Sequence, residues 1–267
     1  MESDEQEQQS ESSELPGQDS DVSGVDEISG QGSEPGINKR PLSKTKKKEG
    51  GWLQSVLIAI ALALGIRHFL VQAYKIPSGS MIPTLLIGDQ LIADKFSFGI
   101  RLPFSDHHLV EFGAPGPGDV VVFRFPEDPT KDFIKRTIGT PGDRIRIENG
   151  VLIINDTPVP RTYIDEQLYR SHGHRQSVKR FHETLGRHTY TVQYSAAPSH
   201  LMWNMEEIQL NDHEIFVMGD NRDHSNDSRF WGTVDLDLLE ADPLFIHFSW
   251  DSETNSIRWG RFGIGLN

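Results

Sequence analysis

Residues 75–267 of this 267-residue chain read as a mainly β domain built from antiparallel sheets, preceded by one long helix and a disordered N-terminal tail. Three observations carry that expectation. Short β-branched and aromatic runs alternate with turn signals along residues 75–267, which hold 12 of the 15 prolines. A single apolar run, Trp52 to Ile66, is too long for a strand. Residues 1–38 carry eleven acidic side chains, no Lys or Arg, and almost nothing large and apolar.

That tail cannot bury enough surface to offset the entropy of ordering, so it is expected to stay disordered. Charge then reverses. Lys39, Arg40, Lys44, Lys46, Lys47 and Lys48 supply six cations, and with the tail they leave −8 of the overall −13 on residues 49–267. Taken as a whole, an acidic protein of this kind offers no cationic face to nucleic acid; the block at 39–48 could by itself be a nuclear-localisation-like or nucleic-acid patch, but it lies directly before an apolar run. With no cysteine in the chain, disulfides, a thiol nucleophile and Cys-ligated metals are excluded.

The run WLQSVLIAIALALGI is uncharged from Gly50 to Ile66 and as a helix spans roughly 26 Å, a little less than the hydrocarbon core of a bilayer. Arg67 and His68 can snorkel to the far headgroups, and Phe69 to Tyr74 can continue the helix, which sets the expected transmembrane span at 52–74. Six cations before it place residues 1–51 in the cytoplasm and residues 75–267 outside. Two competing readings are a buried core helix and a cleaved signal peptide ending at Ala61-Leu62-Ala63. The first rarely follows a polybasic block, and the second leaves apolar chain beyond its cleavage site.

Beyond the helix, Gly118-Asp119 introduces a strand at 120–125 and Pro141-Gly142-Asp143 another at 144–147. Glu148-Asn149-Gly150 turns it into 151–154, a hairpin signal. Further strands are expected at 188–194, 214–218 and 244–250. Between 160 and 212 no period is clear, so a less regular inserted subdomain is expected over about 145–213.

Three polar clusters carry candidate chemistry. Ile76-Pro77-Ser78-Gly79-Ser80-Met81-Ile82-Pro83 puts Ser80 on a loop stiffened by two prolines and freed at Gly79, suited to a nucleophile and equally to a linker turn. In Phe133-Ile134-Lys135-Arg136-Thr137-Ile138, period-two alternation brings one cation to an apolar face. A buried Lys135 has its pKa lowered and can act as a base, whereas two solvated cations on an edge strand would be a device against aggregation. Gly219 to Gly232 (GDNRDHSNDSRFWG) is too rich in donors and acceptors for a simple linker. Its adjacent Asp223-His224-Ser225 makes a poor triad, because triad members converge from distant positions. His172, His174, His182 and His188 lack a metal-ligand spacing and are expected to be solvated, so no metal or other cofactor is implied.

Together these segments resemble the bacterial type I signal (leader) peptidases, membrane-bound serine proteases with a Ser/Lys dyad. IPSGSMIPTLLIGDQLIADKFSFGI is similar to the family's nucleophile box, GDVVVFRFPEDPTKDFIKRTIGTPGD to its next two boxes, and GDNRDHSNDSRFWG to its last. The resemblance implies the antiparallel catalytic fold of that family, with Ser80 as nucleophile and Lys135 as general base. It implies an oxyanion hole from the Ser78 hydroxyl and the Ser80 N–H, and Ser225 orienting the lysine. Ion pairs Asp220 with Arg136 and Asp227 with Arg229 would brace the site. Ile76, Pro77 and Ile134 would line pockets for small residues at −1 and −3 of exported preproteins. The partners implied are preproteins, the lipid bilayer and the secretion translocon, at the bacterial inner membrane. Many Gram-negative members have two spans where this chain offers one, and the inserted region matches only at Glu183 to Gly186. A self-cleaving Ser/Lys repressor-type protease and an inactive, membrane-tethered peptide-binding module are the rival functions; the anchor argues against the first, and retention of Ser80, Lys135 and Ser225 against the second.

Overall fold

The computed structural model describes residues 51–69, 71–101, 108–171, 174–196 and 204–267. The acidic tail, the cationic block and His172 lie outside them. Helix α1 covers Gly51–Phe69, 19 residues, and the side chains of Trp52, Leu53, Leu57, Ile58 and Leu62 are exposed on it. No helix among the described residues is long and apolar enough to cross a membrane.

The expected 52–74 helix is therefore corrected: it stops at Phe69, and Val71–Lys75 is strand β1. Each β1 residue pairs antiparallel with one of 90–94 in β2 (Asp89–Asp94). The strand half-buries Tyr74 against a cluster that includes Leu91 and Ile246. Tertiary pairing here outweighs the local continuity of the apolar helix.

Short strands β3 (Gly99–Arg101) and β4 (His108–Glu111) pair with each other. Strand β5 (Val120–Phe125) pairs with β6 (Asp128–Gly139), which carries the Ile-Lys-Arg triplet. The run Val120-Val121-Val122-Phe123 is apolar without alternation because both its faces are covered. Val120 and Val122 meet the cluster under the Ser80 loop, while Val121 and Phe123 meet Val217, Val234 and Leu239.

Strands β7 (Arg144–Glu148) and β8 (Val151–Ile154) turn at Asn149 and Gly150, whose φ values of 49° and 73° are those a two-residue hairpin turn requires. After β9 (Thr157–Pro158) come β10 (Arg161–Ser171), β11 (His174–Leu185) and β12 (His188–Ser195), which form a three-stranded antiparallel sheet. Besides the strand expected at 188–194, found as β12, the stretch expected to be irregular thus also forms β10 and β11, paired with one register shift between Tyr163 and Asp165. It shows no apolar alternation because much of it faces solvent and is tied by cross-strand pairs, such as Arg180 with Asp165, and by the aromatic contacts Tyr163–Phe181–Tyr194.

Strand β13 (Met205–Gln209) completes the sheet β13-β7-β8-β9. Then follow β14 (Glu214–Met218), helix α2 (Ser228–Trp231), β15 (Val234–Asp235), the 13-residue β16 (Leu239–Asp251) and β17 (Ser256–Ile257). The main sheet runs β1-β2-β16-β5-β6-β14-β15, with β17 on β16. All its pairings are antiparallel.

Candidate active site

The loop between β1 and β2 is held by its own apolar residues. Met81, Ile82 and Leu85 are buried, and Leu85 N–H donates to the Met81 carbonyl at 2.9 Å. Closure comes from Ile76 N–H to Asp89 O and Gly88 N–H to Ile76 O, at 2.8 and 2.9 Å. Asp89, fully buried, accepts from Leu86 N–H at 2.8 Å, Ser249 Oγ at 2.6 Å and Arg261 Nε at 2.9 Å, while Arg261 Nη2 donates to Thr84 O at 2.7 Å. Ser80 therefore sits on a rigid mount, itself buried.

Lys135 arrives from the middle of β6. Its Nζ donates to Ser80 Oγ at 2.9 Å and to the Ile134 carbonyl at 2.9 Å. The side chain is 4% exposed and its amine lies 5.1 Å from the centroid of the Phe133 ring. Burial lowers the amine from 10.5 to about 8, and the negative charges of Asp227 and Asp220 oppose that fall. Neither Lys135 nor Arg136 is the solvated edge cation of the alternative reading, since both are buried.

The loop after β14 braces this pair. Arg136 Nε and Nη2 donate to the two Asp220 oxygens at 2.8 and 2.7 Å, and Arg136 Nη1 donates to Gly118 O at 2.6 Å. Arg229 Nε and Nη2 grip Asp227 at 2.8 and 2.9 Å. Burial alone would raise the Asp227 carboxyl, but the Arg229 guanidinium and the Gly219 N–H, donating at 2.9 Å, hold it below the usual range. A Cβ on Gly219 would fall 2.4 Å from the Ser80 carbonyl and 2.3 Å from Ser225 Oγ, so only glycine lets this loop come so close.

Ser225 is buried, and its Oγ has no partner of hydrogen-bonding geometry among the described residues, although it lies near enough to Asp227 to help hold that carboxyl low. Lys135 Nζ is not bonded to it. His224 points elsewhere too: its Nε2 lies 3.2 Å from Ser195 Oγ, and Asp223 accepts from Ser195 N–H at 2.7 Å. The adjacent Asp-His-Ser is thus no triad.

A cleft of about 730 Å³ opens over Ser80 and Lys135, and Ile76, Pro77, Ser78 and Ile134 are among its lining residues. Ser78 is exposed at its rim. No group of His, Asp or Glu able to hold a metal ion is present among the described residues.

Two contributors escaped the sequence reading. Asn221 Nδ2 donates to Gly79 O at 2.9 Å and its N–H to Ser80 O at 3.0 Å, so this one residue fixes both carbonyls around the nucleophile. Arg222 and Glu183, 1% and 2% exposed, form a bidentate pair that ties β11 to the bracing loop. Their sequence signal is a pair of charged residues inside otherwise recognisable boxes, GDNRD and ETLG.

The family described as "Signal peptidase, peptidase S26" matches residues 50–248. A signal peptidase I of Pseudomonas fluorescens is 37% identical over 215 residues, covering 78% of this chain and 70% of the relative. One from Rickettsia prowazekii is 35% identical over 237 residues, covering 80% and 87% respectively. Among solved structures, a signal peptidase I of Enterococcus faecalis V583 shares 22% identity, with a TM-score of 0.30, over 49% of this chain and 97% of that one.

Proposed function

Because this chain belongs to the signal peptidase family of serine endopeptidases, peptidase S26, we propose that it removes signal peptides from exported preproteins with Ser80 as nucleophile and Lys135 as general base. The 2.9 Å contact between Lys135 Nζ and Ser80 Oγ in a buried site carries this reading. A hydroxyl attacks poorly unless a base takes its proton, and a lysine brought to about 8 is neutral often enough to do so.

In this mechanism neutral Lys135 accepts the Ser80 proton as Oγ attacks the scissile carbonyl. The Ser78 hydroxyl and Ser80 N–H steady the oxyanion. The ammonium form of Lys135 gains a third donor, which we assign to the buried Ser225 hydroxyl, and then passes its proton to the leaving amine. Water, deprotonated by Lys135, hydrolyses the acyl-enzyme. Ile76, Pro77 and Ile134 form the apolar pockets that admit small side chains at −1 and −3. The two buried Arg–Asp pairs keep the loops in register.

The exposed apolar side chains of α1 support seating that helix in lipid, with the cationic block 39–48 on the cytoplasmic side and the catalytic residues outside, close to where a preprotein emerges from the translocon. Incubating the detergent-solubilised protein with a preprotein bearing an Ala-x-Ala site, and sequencing the new N-terminus, tests the activity. Ser80→Ala should abolish cleavage with the melting temperature retained. Near-wild-type cleavage by that variant would remove Ser80 from its role.

A further inference from the structure

The cleft has two walls of different chemistry. Ile76, Pro77, Ile82 and Ile134 give it an apolar wall, and Tyr169, Gln176, Asn221, His224 and Asn226 add hydroxyl, amide and imidazole groups. Tyr169 and Gln176 do not belong to the main sheet. They are directly paired residues of β10 and β11 in the inserted sheet.

This second wall is built into the fold. Gln176 Nε2 donates to Ser195 Oγ of β12, which is also 3.2 Å from His224 Nε2. Gln193 N–H donates to Asp220 O at 2.9 Å, and the buried Arg222–Glu183 pair locks the same sheet to the loop that holds Gly79 and Ser80. Tyr169 and Gln176 are therefore fixed relative to the nucleophile, as specificity residues must be to discriminate among substrates.

The geometry points to the inserted sheet as the subsite for the mature side of the preprotein, with Tyr169 and Gln176 contacting the first residues after the scissile bond. This rests on the reading of Ser80 and Lys135 as the cleavage centre. Small side chains on the signal side are served by the apolar wall, which leaves the polar wall to the substrate segment with polar side chains and unpaired backbone groups. A mature protein begins with such a segment. α1 leads directly through β1 into the apolar wall, whereas Tyr169 and Gln176 of the polar wall stand on a separate sheet; chain leaving the membrane surface would pass along them.

The test compares kcat/KM for a preprotein with that for a peptide anilide of the same signal-side sequence, which has no residue beyond the scissile bond. In Tyr169→Ala and in Gln176→Ala the preprotein-to-anilide ratio should fall about tenfold, mainly through KM of the preprotein, as expected for loss of one good contact. Tyr169→Phe should recover part of the loss. Leu168→Ala, whose exposed side chain lies on the opposite face of the same strand, should leave the ratio unaltered. An unchanged ratio in both Ala variants, or preprotein and anilide falling in parallel, would overturn the subsite. Failure of the wild-type protein to cleave either substrate would instead strike the proteolytic reading itself.

Discussion

Titrating cleavage against pH exposes the dyad to the most direct test. Burial lowers the Lys135 amine from 10.5 to about 8. At pH 7 an amine at the lower value is unprotonated in about 9% of molecules, against about 0.03% for a solvated lysine, so burial raises the competent fraction about 300-fold. In the free enzyme kcat/KM should therefore climb about tenfold per pH unit below about pH 8 and level off above it. Initial rates on a preprotein from pH 5.5 to 10, with the new N-terminus sequenced at each end of the range, would trace that limb. Lys135→Arg keeps the charge but cannot release its proton in this range, and should show neither limb nor measurable turnover. A wild-type profile that is flat between pH 6 and 8, or a limb of the same shape in Lys135→Arg, would refute the assignment of the base.

Three other outcomes follow from the same packing. The folded pKa of Lys135 is depressed relative to the unfolded chain, so stability from this group rises with pH between about 8 and 10.5, where only the unfolded state still holds the proton. Lys135→Met removes that cost, and in urea melts its stability relative to wild type should be about 2 kcal/mol greater at pH 7 than at pH 10; a difference independent of pH would contradict it. Glu183→Gln leaves the buried Arg222 guanidinium without its counter-charge and should cost about 3–5 kcal/mol; a loss below about 1 kcal/mol, read from denaturant midpoints, would show that the pair is not a brace. Gly219→Ala drives a methyl into the Ser80 carbonyl and Ser225, and should lower kcat by at least about 100-fold as the nucleophile moves; kinetics indistinguishable from wild type would mean that the loop yields freely.

Elements with turn chemistry at their ends were legible from sequence. The hairpin at Asn149-Gly150 needs positive φ at both positions, and few residue pairs other than Asn-Gly supply it. Strands 120–125 and 214–218 showed as apolar runs because both belong to the covered middle of the main sheet. The pair Ser80 and Lys135 was visible only as two unusual local environments 55 residues apart, and alternation alone did not say that Arg136 is buried as deeply as Lys135. Strand β12 matches the strand expected at 188–194, but β10 and β11 were illegible for a physical reason: solvent on much of their surface removes the pressure for alternation, so polar residues carry the cross-strand pairing instead. The end of α1 misled similarly. Val71 to Lys75 is as apolar as a helix end needs, and only the partner strand at 90–94 makes it a strand. Asn221 and the Arg222–Glu183 pair work through contacts with residues far away in sequence, which no local pattern records.

The bond between Arg261 and Asp89 spans 172 positions, and this separation has a consequence in time. A ribosome makes the nucleophile's loop first, the base next, the bracing loop after that, and Arg261 only near the close of the catalytic region. Until that guanidinium docks, the fully buried Asp89 lacks its counter-charge, and the loop carrying Ser80 lacks its last anchor. A nascent chain that has already made Ser80 and Lys135 thus still lacks this anchor until Arg261 has been added.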